Sequence, residues 1–280
     1  MRSKTRMAGD FVLKNINVCN TEIELLTGGS GDPLLILHGT DGSLGWLNYA
    51  KELSKHFTVY IPSHPGFGNS EKPEWIQTIT DLTFFYSWLI EELQLENCNV
   101  MGFSIGGWVT AELLSVSPNL FNKAILVDSA GIKPENEDIV DIFLLTPQEV
   151  AQLMVQNASN VPEFEKVFGN TEAPSGTYYI TGSTGNHNPQ YIADKNRETA
   201  VRLCWKPYMF DPKLQHTLNR VNTPVQIIWG KNDAIIPPEC AELFKKAIPN
   251  AKVNMINNCG HLPHMEQTND FVKLVRNFLK

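Results

Sequence analysis

Cysteine is scarce and unpaired in this chain. Cys19, Cys98, Cys204, Cys240 and Cys259 are an odd number, widely separated, with no Cys-x-x-Cys pair and no metal-ligand spacing. That argues against a disulfide framework and against a metal centre, and a reducing cytoplasm is the expected setting. No stretch reaches the run of about eighteen apolar residues that a spanning helix needs, so no membrane span is expected. A secretory signal is not expected either, because Ala8-Gly9-Asp10 interrupts the basic start and Phe11-Val12-Leu13 is too brief for an apolar signal core. Positive charge is also short: 23 Lys and Arg stand against 30 Asp and Glu, a formal net charge of −7. Nucleic-acid binding needs clustered Lys and Arg, and the only cluster is the short tail Arg2, Lys4 and Arg6, so no nucleic-acid partner is expected. No dinucleotide fingerprint is present, and no cofactor is implied.

What remains is a 280-residue chain, 42% hydrophobic and 19% charged, enough for one large core with a small appendage. It is organised around Val100-Met101-Gly102-Phe103-Ser104-Ile105-Gly106-Gly107. A β-prone run, Asn99 to Phe103, stops at a serine between glycines. Trp108, Val109, Ala111, Leu113 and Leu114 then follow with helical spacing. This strand, sharp turn and helix present Ser104 as a candidate nucleophile, and the helix N-terminus favours a developing oxyanion.

Along the chain, Phe11 to Val18 and Thr21 to Leu26 alternate and predict an antiparallel hairpin. Leu34 to Leu37 is continuously apolar and predicts a buried strand that ends in His38-Gly39-Thr40-Asp41-Gly42. Further strands are predicted over 57–61, 123–128, 225–229 and 252–256. Helices are predicted over 46–56, 81–95 with Thr80 as N-cap, 238–247 and 263–279. This alternation implies an α/β fold with a mostly parallel, doubly wound sheet, built from residues 1–131 and 222–280. Over 132–221 the strand rhythm disappears. Helical spacing at Val150, Leu153 and Met154 is broken by prolines, and 171–188 is turn-rich, so this segment is read as an inserted helical cap.

A serine hydroxyl needs a base and something to orient that base. Asp233 follows the strand ending at Trp229, and His261 follows the one ending at Ile256. In a parallel sheet both loops open on the edge that carries Ser104. Of the seven histidines only His261 combines a strand end, a preceding glycine and the order Ser, Asp, His. Asp128, which also ends a strand, is a rival acid. The backbone N–H groups of Ile105 and of Thr40, or else Asp41, are the expected oxyanion donors. His38 then acts in packing and hydrogen bonding. A small-molecule pocket is expected between Phe103, Trp108 and cap residues Phe143, Leu144, Trp205, Tyr208, Met209 and Phe210, suited to a small or medium hydrophobic substrate. Oligomeric state is not legible, and a homodimer is compatible with everything read.

With His38-Gly39, Pro65-Gly66-Phe67-Gly68-x-Ser70, the elbow, Gly230-x-x-Asp233 and Gly260-His261, nearly the whole chain resembles the α/β-hydrolase superfamily. Two branches come closest. Small carboxylesterases with a helical cap are one. The other is the meta-cleavage-product hydrolases, which break a C–C bond in dienoic keto acids and which Gly45-Trp46-x-Asn48-Tyr49 resembles. That branch usually has Asn where Phe103 stands and aromatics where Leu262 and Met265 stand, and its cap arginine would be Arg197 or Arg202. The departures favour an esterase. A receptor-like member with slow turnover is the alternative from outside enzymology. Ser104 in the nucleophile position argues against the haloalkane dehalogenases and most epoxide hydrolases, which use Asp there.

Overall fold

Hydrophobic runs that do not alternate become the middle of one sheet, and runs that alternate become its edge. The computed structural model describes residues 6–95, 97–169 and 189–280. Its strands are β1 (Arg6–Ala8), β2 (Phe11–Val18), β3 (Thr21–Gly28), β4 (Asp32–Leu37), β5 (Phe57–Pro62), β6 (Asn99–Phe103), β7 (Lys123–Val127), β8 (Val225–Gly230) and β9 (Lys252–Ile256). They line up as β1-β2-β3-β5-β4-β6-β7-β8-β9. From β5 to β9 the neighbours run parallel, while β1, β2 and β3 form the antiparallel flank. Every residue of β6 and β8 is buried, as is Leu34 to Leu37 of β4.

The parallel register decides where chemistry can occur. Leu37 pairs with Gly102, Phe103 with Val127, Val127 with Ile228 and Gly230 with Ile256. The loops after these strands therefore open on one edge, carrying residues 38–45, Ser104, Asp128, Asp233 and His261.

The helices are α1 (Asn48–Leu53), α2 (Ile79–Glu92), α3 (Ile105–Val116), α4 (Pro147–Met154), α5 (Phe164–Phe168), α6 (Pro189–Cys204), α7 (Leu214–Thr217), α8 (Glu239–Ala247), α9 (Pro263–Glu266) and α10 (Thr268–Leu279). Two expected boundaries are corrected. The N-cap of α2 is Thr78, not Thr80: the Thr78 hydroxyl accepts from Asp81 N–H, and the Asp81 carboxylate accepts from Thr78 N–H. The terminal helix is two helices, because Gln267 adopts φ −129°, ψ 49° and breaks the ladder between α9 and α10. Helices α4 to α7 lie between β7 and β8, in the segment read as a cap. The turn-rich stretch 171–188 lies outside the described residues. Among the described residues no helix is long and apolar enough to cross a membrane.

Candidate active site

Ser104 sits between β6 and α3 with φ 49° and ψ −116°, a region that side chains other than glycine rarely adopt. Its neighbours make the turn feasible. A Cβ on Gly102 would lie 2.2 Å from the Gly106 carbonyl oxygen, and one on Gly106 would lie 2.3 Å from that of Leu37. Strand, helix and β4 thus close on one another only because both flanking positions lack side chains. Backbone bonds lock the conformation: Ser104 N–H donates to Val127 O at 3.0 Å, and Ser104 O accepts from Ala130 N–H at 3.1 Å. Ile105 opens α3, so no carbonyl within the helix can accept its N–H. The loop after β4 presses close, since a Cβ on Gly39 would stand 3.3 Å from Ser104 Cβ.

Asp233 and His261 meet as the strand order requires. His261 Nδ1 donates to Asp233 Oδ2 at 2.7 Å. The other carboxylate oxygen accepts from Ile235 N–H at 2.8 Å and Ile236 N–H at 3.0 Å, which fixes the acid independently of the histidine. Both residues are buried. Burial alone would lower the His261 pKa, but the Asp233 charge and hydrogen bond, with the Asp41 and Glu266 charges, together outweigh it and leave the imidazole above its ordinary value. His261 N–H donates to Met154 O at 2.7 Å, tying the histidine loop to the end of α4. Glu266 adds a second tie by accepting from Gly260 N–H and Gln156 N–H, each at 2.8 Å.

Ser104 and His261 line one cavity of about 40 Å³, together with Thr40, Asp41, Phe103 and His264. Ser104 Oγ is buried and makes no hydrogen bond, so the serine and the imidazole share a cavity without being joined. A second cavity, about 80 Å³, shares Thr40 and Asp41 and extends under α4 and α6 to Phe143, Val150, Phe168 and Arg197. Arg197 Nη2 donates to the carbonyls of Phe143 and Leu145, at 2.7 and 2.8 Å. Asp41, in both cavities, is pushed up to about 6 by burial, with His261 pulling the other way.

His38 and His64 occupy the same edge but do different work. His38 Nε2 accepts from His64 N–H at 2.9 Å and its Nδ1 donates to Gly39 O at 2.8 Å. Burial lowers His38 to about 4 and His64 well below its ordinary value. Both are neutral struts that hold the 38–45 loop to the 62–70 loop.

Of the expected pocket residues, Phe103 and Phe143 line these two cavities and the others do not. Leu144 is 79% exposed. Trp108, Trp205 and Phe210 line a separate cavity of about 470 Å³ beside the start of α2, where Trp108 Nε1 donates to Glu112. Tyr208 is a strut, its hydroxyl donating to Val140 O and accepting from Ile142 N–H. Met209 is fully buried. Aromatic content does not say which face of a helical segment meets the site: Trp205 is itself exposed. Asn196 was missed: its Nδ2 donates to Asp41 O and its Oδ1 accepts from Gly68 N–H, both at 2.8 Å, pinning the 38–45 loop. No local pattern announces such a long-range strap.

The model of the alpha/beta hydrolase fold family matches residues 32–268. The chain belongs to that family. Over 277 residues it is 22% identical to a 2-hydroxy-6-oxo-2,4-heptadienoate hydrolase of Pseudomonas putida, covering 90% of this chain and 90% of the relative. Among solved structures, a 2-hydroxy-6-oxo-6-phenylhexa-2,4-dienoate hydrolase from a Rhodococcus species superposes with a TM-score of 0.76 at 21% identity, covering 96% of this chain and 98% of that one. Naproxen esterase from Bacillus subtilis superposes with a TM-score of 0.74 at 20% identity, covering 100% and 92%. At these identities the structural likeness establishes the alpha/beta hydrolase fold. The family supports a hydrolase and leaves the choice of bond open.

Proposed function

We propose that this alpha/beta hydrolase is a serine esterase acting on small to medium hydrophobic carboxylic esters. The observation that carries the reading is the 2.7 Å His261–Asp233 bond in the cavity that also holds Ser104. Ser104 Oγ attacks the ester carbonyl while His261 takes its proton, and Asp233 holds the imidazole tautomer and stabilises the imidazolium. The Ile105 and Thr40 N–H groups receive the oxyanion, Ile105 from the open first turn of α3. His261 then protonates the leaving alcohol, and water releases the acid from the acyl-enzyme by the same route. The segment 132–221 acts as a cap that covers the acyl pocket, bounded by Phe103 and Phe143. The expected setting is the cytoplasm.

A C–C hydrolase of meta-cleavage products is the second reading, favoured by Arg197 in the cavity next to Ser104. Such a substrate needs its carboxylate gripped, yet Arg197 Nη2 already serves two backbone carbonyls. Arg202 lines the separate cavity beside α2. Arg202 has Nε and Nη2 without partners but lines a cavity that Ser104 does not, and Arg197 is engaged at Nη2, which supports the ester reading. The deciding experiment compares a chain-length series of p-nitrophenyl esters with a dienoic meta-cleavage product, using the native protein and Ser104→Ala. Serine-dependent ester turnover with the dienoate untouched is expected. Dienoate cleavage with little ester activity reverses the ranking, and tight ligand binding without turnover points to a receptor.

A further inference from the structure

Asp128 follows β7 as Asp233 follows β8, and the parallel register brings both carboxyls behind His261. Asp128 is 1% exposed. Its Oδ1 accepts from Gly230 N–H at 2.8 Å, while its Oδ2 is buried without a hydrogen-bond partner. Donor atoms of Asp128, Asp233 and His261 all lie within 4.8 Å of one another. Two carboxylates this close, shielded from water, do not both ionise. The hydrogen bonds decide which keeps the charge. Asp233 collects three N–H donors, from Ile235, Ile236 and His261, whereas Asp128 collects one. Burial drives the Asp128 carboxyl well above its ordinary value, and the Asp233 and Glu266 charges push it the same way. The Cys259 thiol, also raised by burial, faces this group as well.

We propose that Asp128 is a reserve acid: a positioning residue that keeps its proton while Asp233 is charged, and supplies the negative charge behind His261 when Asp233 is neutral. This rests on the reading of His261 as the base. Over the pH range in which His261 works as a base, the pair then holds one charge. The imidazolium formed during turnover then meets one counter-charge from this pair, beside the more distant Asp41 and Glu266.

The test uses the full-length protein with Asp128→Asn, Asp233→Asn, the double variant and Ser104→Ala, assayed on a p-nitrophenyl ester across pH. Asp128→Asn should stay within about threefold of native kcat, because an amide keeps an oxygen for Gly230 N–H and an N–H for Asp233. Asp233→Asn should lose about 10- to 100-fold in kcat with little change in KM. The double variant should fall by about 10⁴-fold, the loss expected when no carboxylate backs the histidine. The acid limb of kcat/KM should stay near its native position in Asp233→Asn and move to lower pH only in the double variant, where the unsupported imidazolium gives up its proton more easily. Equal losses in Asp233→Asn and the double variant, with Ser104→Ala inactive, overturn the reserve acid alone. A fully active Ser104→Ala overturns both this and the catalytic reading. Should the double variant not fold, the Asp233→Asn limb decides: unmoved supports the proposal, displaced to lower pH overturns it.

Discussion

Two groups of buried histidines sit at the same edge of the sheet, one after the central strands β4 and β5 and one after β9. His38 and His64 lie with ring centroids 3.6 Å apart, and His261 is buried as they are. Burial lowers the first two, whereas His261 ends up raised. The difference lies in what meets Nδ1. On His261 it is a carboxylate, on His38 the Gly39 carbonyl and on His64 the Tyr86 hydroxyl. A buried imidazole becomes a candidate base only when a negative charge offsets its desolvation, so an interior histidine alone predicts little.

The largest effect that would break this comparison is on turnover. His261→Gln should cut ester kcat by about 10⁴-fold and leave the protein folded by circular dichroism. His38→Gln should cost less than about tenfold in kcat. It should also lower urea stability by about 1–3 kcal/mol, because the imidazole that donates to the Gly39 carbonyl and packs on His64 and Phe67 is lost. If His38→Gln instead abolishes turnover in a stable protein, the two groups are misassigned.

The same contrast shows how far the chain could be read without coordinates. That Ser104 and His261 would meet at one edge was legible because strand, glycine and order are local features, and parallel pairing carries local features to a common edge. Asp233 was legible on the same terms. Asp128 could be recognised as a strand-end acid, but its distance from Asp233 depends on register between β7 and β8, which no spacing reveals. Asn196 and Glu266 were illegible: their partners lie on other loops, and their own surroundings in sequence are ordinary helical ones. The N-cap of α2 was misplaced by two residues because Thr78 and Thr80 both precede an apolar face, and only the Asp81 carboxylate chooses between them. The aromatics of 132–221 were assigned to the pocket by composition, which cannot say which way a helix turns.

A smaller effect, in pH, sharpens the comparison through its sign. His38 goes from about 6.5 unfolded to about 4 folded, so between these values the unfolded chain binds more protons. Stability from His38 therefore falls as pH drops from 6.5 toward 4, and His64 acts in the same direction. His261 has the opposite sign: its contribution is present below 6.5 and is lost as pH rises through its raised folded value. Turnover needs neutral His261, so kcat/KM should rise across the range in which that contribution is lost. Urea midpoints of native protein and His38→Gln from pH 4 to 8 test this. The difference between them should shrink toward low pH and level off above 6.5. Taking the difference also removes the carboxyls raised by burial, Asp128 and Glu266, which titrate with the opposite sign.

The smallest effect isolates a single proton. His64 Nε2 donates to His38 O at 2.9 Å, so Nδ1 carries the lone pair and must accept from the buried Tyr86 hydroxyl. Tyr86→Phe removes the donor, keeps the ring and leaves Nδ1 unsatisfied. Stability should drop by about 1–3 kcal/mol in urea melts, and kcat should change by less than about twofold. If turnover instead falls with stability unchanged, the Tyr86–His64–His38 chain is moving protons for the site. A phenol at Nδ1 would then be doing for His64 what the comparison assigns to a carboxylate on His261 alone.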